Sequence, residues 1–345
     1  MSKLIHLNVL DQSPMRFGGS ASHALRESVS LAQKAEALGY HRYWLTEHHN
    51  SNSFAGTSPE LLIGQIAANT SSIRVGSGGV MLPNYSALKV AEQFRVLEAF
   101  YPGRIDLGIG RARGADPTAA KALVHPQPVA DTEPFSQRVV DLLAFLNGSL
   151  EETHPFARVE AQPGLSSAKD PVASIEVWLL GSSRSSGLVA AELGLPFSFA
   201  EFLQGDSSVG PAAVAEYREK FRPLSSLSEP KVSVALEMIC APDEQEARHL
   251  SLSRTFDAVA EVYGLHGLVP PDKVATFTMS NEVREYYDAA ANRCIACTPP
   301  QAKEVIESVA RRYDTTEIFI LTNCYAFEHR VRSYELVAAA MSDVE

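Results

Sequence analysis

Cysteine, positive charge and long apolar runs are what this sequence has least of. Four cysteines in 345 residues do not make the disulfide framework of a small secreted scaffold. Lysine and arginine number 30 against 41 aspartates and glutamates, for a net charge of −11. That balance argues against a nucleic-acid-binding surface, which has to be basic. No apolar run approaches the ~20 residues of a membrane helix. Met1-Ser-Lys-Leu-Ile-His passes directly into a strand-like segment, so no signal peptide is expected and a reduced cytoplasm is the expected setting. What is present is 45% hydrophobic and 21% charged residues, the balance of a soluble globular protein long enough to bury a large core.

Short apolar segments predict strands at 4–10, 43–46, 73–77, 105–109, 176–180, 197–200, 231–239 and 317–321. Between them lie stretches with helical periodicity. Gly39 closes the first helix, as a residue at C′ often does. Thr57-Ser58-Pro59-Glu60 and Thr298-Pro299-Pro300-Gln301 read as capping boxes with a proline near N1. Strands alternating with helices, with no composition break between the halves, predict one (β/α)8 TIM-barrel domain over 1–345. Two doubly wound domains are the competing architecture. The extra residues fall after strands four and seven, at 115–132, 148–174 and 264–294. Part of 148–174 is expected to cover the site, being too long for an ordinary connection.

In such a barrel the loops after the strand C-termini hold the ligand. Asp11, Glu47-His48-His49, Gly78-Gly79, Arg111, Arg113 and Ser182-Ser183-Arg184-Ser185-Ser186 all fall there. A Gly-Ser turn entering a helix offers backbone N–H groups and hydroxyls, and Arg111 would close the other side of a bound phosphate. The plainer readings are a surface turn with solvated arginines and serines that merely cap a helix. Gly108-Ile-Gly110-Arg-Ala-Arg-Gly114 has the wrong spacing for a dinucleotide fingerprint. Glu47-His48-His49 lacks the i, i+4 histidines of a zinc-protease helix, and neighbouring strand residues face opposite sides, so no metal site is expected. One of these histidines would face the mouth as an acid/base or hydrogen-bond donor, near the ordinary pKa of ~6.5; packing is its competing role. Cys294-Ile-Ala-Cys297 is the one CxxC, weighed as a redox pair against two small buried thiols.

Five ordered motifs then resemble one family. Tyr43-Trp-Leu-Thr-Glu-His-His49, Gly76-Ser-Gly-Gly-Val-Met-Leu-Pro83, Ala91-Glu-Gln-Phe94, Pro102-Gly-Arg-Ile-Asp-Leu-Gly-Ile-Gly-Arg111 and Gly181-Ser-Ser183 are similar to the bacterial luciferase-like flavin-dependent monooxygenases, in the single-chain alkanal monooxygenase α-like branch. The resemblance implies a (β/α)8 barrel that binds reduced FMN, adds O2 to form a flavin peroxide and oxidises a small organic substrate. It implies a separate NAD(P)H:flavin reductase as partner and a homodimer. Carried over, Arg111, Ser182, Ser183 and Ser186 would hold the FMN phosphate. Gly78 and Gly79 would pack under the isoalloxazine, where relatives often have a non-proline cis peptide, and His48 would be the acid/base. Ser182-Ser183 replaces the Glu-Ser of luciferase, and Gly110 replaces its reactive cysteine, so aldehyde oxidation with light emission is not expected. A deazaflavin (F420)-dependent oxidoreductase and a non-catalytic flavin-binding protein are the alternatives.

Overall fold

Nine parallel strands among the described residues form one sheet, and eight of them close on themselves. The computed structural model describes residues 4–126, 134–164, 175–224 and 227–342. The strands are β1 (His6–Asp11), β2 (Arg42–Leu45), β3 (Arg74–Met81), β4 (Ile105–Gly110), β5 (Glu176–Gly181), β6 (Phe197–Ala200), β7 (Val232–Cys240), β8 (Ile295–Cys297) and β9 (Glu317–Leu321). β1 to β6 pair in sequence, β6 pairs with β7, β7 with β9 and β9 with β1. Eight strands therefore close a (β/α)8 barrel. β8 stands outside the ring, paired with the last residues of β7 through Met238–Ile295, Ile239–Ala296 and Cys240–Cys297. It comes from the CxxC segment, where no strand is predicted.

The helices around the ring are α1 (Ala21–Ala37), α2 (Pro59–Ala68), α3 (Ala87–Phe100), α4 (Pro117–Val124), α5 (Phe135–Asn147), α6 (Arg184–Glu192), α7 (Val209–Lys220), α8 (Glu244–Asp257), α9 (Pro271–Val274), α10 (Asn281–Ala291), α11 (Pro299–Tyr313) and α12 (Phe327–Ser342). Thr298 and Gln301 form the expected capping box of α11. The box expected at α2 does not form: Ser58 makes no side-chain cap, and the Glu60 carboxylate accepts from Gln93 instead. In the long connection after β4, Asp116 caps α4 by accepting from the N–H groups of Thr118 and Ala119. The described part of 148–174 does not reach the site. Arg95 of α3 donates to the carbonyls of Phe145, Leu146, Ala161 and Pro163 and fastens that segment to the outside of the barrel; residues 165–174 lie outside the described residues. No described helix is long and apolar enough to cross a membrane.

Along each strand alternate residues point inward, and the inward rows fill the barrel in layers. The lowest layer is ionic. Asp106 accepts from Arg42 Nη1 at 2.6 Å, from Arg74 Nε at 2.9 Å and from Trp44 Nε1 at 2.9 Å. Around it, Glu176 accepts from Lys231 at 2.8 Å and Glu317 from Asn8 at 3.0 Å. Above it lies an apolar layer of Leu10, Trp44, Trp178, Ala235, Phe319 and Leu321. Trp44 meets Phe319 at 4.2 Å and Trp178 edge-on at 5.5 Å. These two layers plug the bottom and middle of the barrel and leave the upper end open.

Candidate active site

The open end is a cavity of about 580 Å³, within the usual range for a cofactor or substrate site. Its floor is the apolar layer, Leu10, Trp44, Ala235 and Phe319, and its sides include Met81, Leu180, Phe202 and Leu203. Polar groups sit at its ends. His48, Gly78, Arg111, Ser182, Ser183 and Ser186 all line it, so the loops after β2, β3, β4 and β5 converge as the sequence predicts.

At one end is the serine turn. Ser183 caps α6, its Oγ accepting from the Ser186 N–H at 3.4 Å. The Ser183 hydroxyl also lies 3.0 Å from Ser185 Oγ and 3.2 Å from Ser186 Oγ. Arg111 reaches across from the β4 loop and donates to Ser185 Oγ at 3.3 Å, so Ser185 belongs with the predicted serines. Gly181 allows this packing: a Cβ there would lie 2.3 Å from Ser186 Cβ. Arg184 turns away to pair with Glu216. Arg113 also leaves the cavity, donating to the Pro83 carbonyl at 3.1 Å, which fits its separation from Arg111 in the sequence.

The Gly78–Gly79 peptide is cis, and the β3–β4 register shifts between Gly78 and Val80. Gly78 lines the cavity, whereas Gly79 turns to β4, where a Cβ would lie 2.6 Å from the Gly108 carbonyl oxygen.

His48 occupies the β2 side. Its Nδ1 lies 3.1 Å from Thr46 Oγ1 and its ring 4.8 Å from that of Phe54. Burial first, then the charges of His49 and Arg254, push its pKa down to about 4. The expectation of a value near the ordinary one is corrected by burial, and His48 is a neutral imidazole at physiological pH. His49 points away to the carboxylate of Glu47, at 2.7 Å; both histidines lie in the loop beyond β2, so they diverge through the loop and not through strand alternation.

Glu47, placed at the mouth by the sequence but given no role there, is the organising group. Its buried carboxylate also accepts from the Met81 N–H at 2.9 Å, Tyr85 OH at 3.0 Å and Asn84 Nδ2 at 3.3 Å. It thereby ties the His48 loop to the end of β3. Asp11, placed at the mouth by its position after β1, is buried instead and bonded to Arg330, Tyr43 and the Ser13 N–H. Burial is the largest single effect and opposes its charge, but Arg330 together with hydrogen bonds from Ser28, Tyr43 and the Ser13 N–H holds its pKa down. Gln12, the next residue, lines the cavity in its place, its Oε1 accepting from Asn323 at 2.6 Å.

The cysteines are free and mostly buried. Burial raises the pKa of Cys294 and pushes Cys324 up to about 12, and a hydrogen bond to Cys240 raises Cys297. Such thiols stay protonated and unreactive, which favours the buried-thiol reading of the CxxC. Among the described residues no cluster of histidines, cysteines and acids is arranged to hold a metal.

The family model described as luciferase-like monooxygenase matches residues 6–315. The chain belongs to the luciferase-like monooxygenase family. It is thus an oxidoreductase of the monooxygenase type. It is 42% identical over 342 residues to the uncharacterized protein YwcH of Bacillus subtilis, covering 99% of this chain and 100% of that one. It is 36% identical over 335 residues to a luciferase-like monooxygenase of Escherichia coli, covering 97% and 96%. With the N-acetyl-S-alkylcysteine monooxygenase of Bacillus subtilis it shares 35% identity over 343 residues, covering 98% of each. Among solved structures, apo-MsnO8 superposes with a TM-score of 0.85 at 32% identity, covering 99% of this chain and 98% of that one. The fold also recurs in the FMN complex of the oxygenating constituent of 3,6-diketocamphane monooxygenase from Pseudomonas putida, with a TM-score of 0.70 at 18% identity and 99% of each chain covered.

Proposed function

We propose that this chain is the oxygenase of a two-component system, using reduced FMN from a separate NAD(P)H:flavin reductase, and O2, to oxidise a small organic substrate. The observation that carries this reading is the polarity of the cavity. A cation and a hydroxyl cluster at a helix N-terminus stand at one end, an apolar slot follows, and a neutral histidine stands at the other side. That sequence of environments fits the phosphate, ring system and reacting edge of a flavin mononucleotide. When bound, the reduced flavin would supply the electrons that activate oxygen.

The chain's own residues have separable tasks in this reading. Arg111, Ser182, Ser183 and Ser186 hold the phosphate, with Ser185 completing the cluster. Trp44, Leu180, Phe202 and Phe319 exclude water from the ring. Gly78 leaves room against the floor and Gly79 lets β3 approach β4. His48, uncharged, offers a hydrogen bond toward the reacting region without adding a charge to it. The solved FMN complex of a protein with this fold supports the cofactor class. The apolar side chains Leu61, Val96 and Phe100, exposed on α2 and α3, suit a homodimer.

Titration of the protein with FMNH2, followed by oxygen uptake, tests the reading. Saturable FMN binding, with an oxygenated and not merely oxidised flavin species seen on reaction with O2, supports it. Tight FMN binding without oxygen consumption would make it a flavin-binding protein, and preference for a deazaflavin would make it a hydride-transfer enzyme. Binding of neither flavin would end it.

A further inference from the structure

β7 carries its inward row one step past the cavity floor. Ala235 lines the floor, and Glu237, two residues on and therefore facing the same way, is buried just beyond the lining residues. Glu237 is paired with Arg254 of α8 through the guanidinium Nε. One turn along α8, Asp257 accepts from Ser53 Oγ at 2.5 Å. Ser53 belongs to the same loop as His48 and Phe54, and Phe54 packs on the His48 ring. α8 thus places Arg254 between the end of β7 and the loop that carries the histidine, near enough to His48 for its charge to act on the imidazole.

The pairing leaves part of Arg254 unused. A guanidinium has five N–H donors, and Arg254 gives only the Nε donor to Glu237. Its two terminal nitrogens make no hydrogen bond among the described residues, nor are they among the buried polar atoms left without a partner. The side chain keeps 18% of its surface accessible while Glu237 keeps 2%. Two parallel N–H donors held on a rigid support are the geometry that binds a carboxylate bidentately. The neighbouring acids do not fill that role. Glu237 takes the Nε side, and Asp257 is turned to Ser53.

We propose that Arg254 is a specificity-determining residue that binds a carboxylate of the substrate, so that the preferred substrate is a small organic acid with an apolar body. The proposal rests on the reading of this cavity as the oxidation site. The apolar body would lie in the part of the cavity beside His48, and the acid group at the rim. This site is distinct from Arg111: the two arginines come from the β4 loop and from α8, and only Arg111 contacts the serine turn.

Hexanoate and its neutral counterpart hexanamide are suitable probes, with binding measured by calorimetry on the full chain. The wild-type protein should bind hexanoate about tenfold or more tighter than hexanamide, and Arg254→Gln should abolish that preference while leaving hexanamide binding in place. Because Arg254→Gln leaves Glu237 buried without its partner, the double variant Glu237→Gln/Arg254→Gln, which removes the pair together, serves as the second test and should show the same loss. Equal binding of acid and amide by the wild type, binding of neither, or a preference that survives in both variants would overturn the proposal. FMN titration of the same variants keeps the two readings apart. Unchanged FMN affinity with a lost acid preference places the effect at Arg254, whereas a wild type that binds hexanoate selectively but no FMN refutes the flavin reading alone.

Discussion

Arg111 donates one hydrogen bond, to Ser185, and is otherwise exposed at the cavity end, so its remaining N–H groups are available to a phosphate. Arg111→Ala should weaken FMN binding about ten- to a hundredfold, the loss of a charge-assisted contact of ~1.5–3 kcal/mol. An exposed side chain contributes little to folding, so the melting temperature should stay put; an unchanged FMN affinity would refute the phosphate assignment. His48 behaves differently because its folded pKa, about 4, lies below the ordinary ~6.5 of an unfolded chain. Between those values the unfolded state binds more protons, so the stability associated with the neutral, buried ring is complete above ~6.5 and is lost as pH falls toward 4. His48→Gln should flatten the stability profile in that window, measured by denaturant titration at several pH values; an unaltered profile would show that another group governs it.

At the level of elements, the site depends on loops fastened to one another. The His49 N–H donates to the Gly114 carbonyl at 2.7 Å, and Asn50 Nδ2 donates to Asp116 at 2.7 Å, so the β2 and β4 loops move together. Gly114 is required there, since its φ is +60° and a Cβ would lie 2.6 Å from the Glu47 carbonyl oxygen. Gly114→Ala should cost about 1–3 kcal/mol of stability, and should weaken FMN binding because Arg111 lies on the displaced loop. Thermal unfolding and FMN titration on one sample check both, and a fully stable variant with normal affinity would show that the loops are independent. These links explain what could be read from the chain. The approach of His48, Arg111 and the serines is legible because each follows a strand and a barrel brings all strand ends together. Glu47 is not legible as a hub, because its donors at Met81, Asn84 and Tyr85 come from another loop.

On the scale of the molecule, the ionic layer decides acid stability. Burial works against the charges of Glu317 and Glu176, yet His41 and Arg42 for the first, and Arg42 and Lys231 for the second, hold both pKa values down at about 2. Their contribution is present above the ordinary carboxylate pKa of ~4.3 and is lost as pH falls toward 2. Denaturant titration at several pH values should therefore show stability still falling below the His48 window, between ~4.3 and about 2. Asp106→Asn would leave the buried Arg42 facing a neutral amide, and should destabilise the fold by about 3–5 kcal/mol. A loss under 1 kcal/mol in denaturant titration would mean that Glu176 and Glu317 carry the layer by themselves.

Local pattern alone was enough to specify the eight barrel strands, because strands buried by helices outside and by the filled barrel inside read as short apolar runs, and the capping box of α11, because its partners are three residues apart. It was also enough to bring the phosphate candidates to one end. Tertiary structure decided the direction in which each polar group points and the dielectric it meets. Asp11 follows β1 as His48 follows β2, yet Arg330, from the far end of the chain, draws Asp11 into the core, while His48 stays at the cavity with its charge suppressed by burial. The free face of Arg254 is of the same kind. It exists only because Glu237, 17 residues away in sequence, takes one side of the guanidinium and leaves the other open.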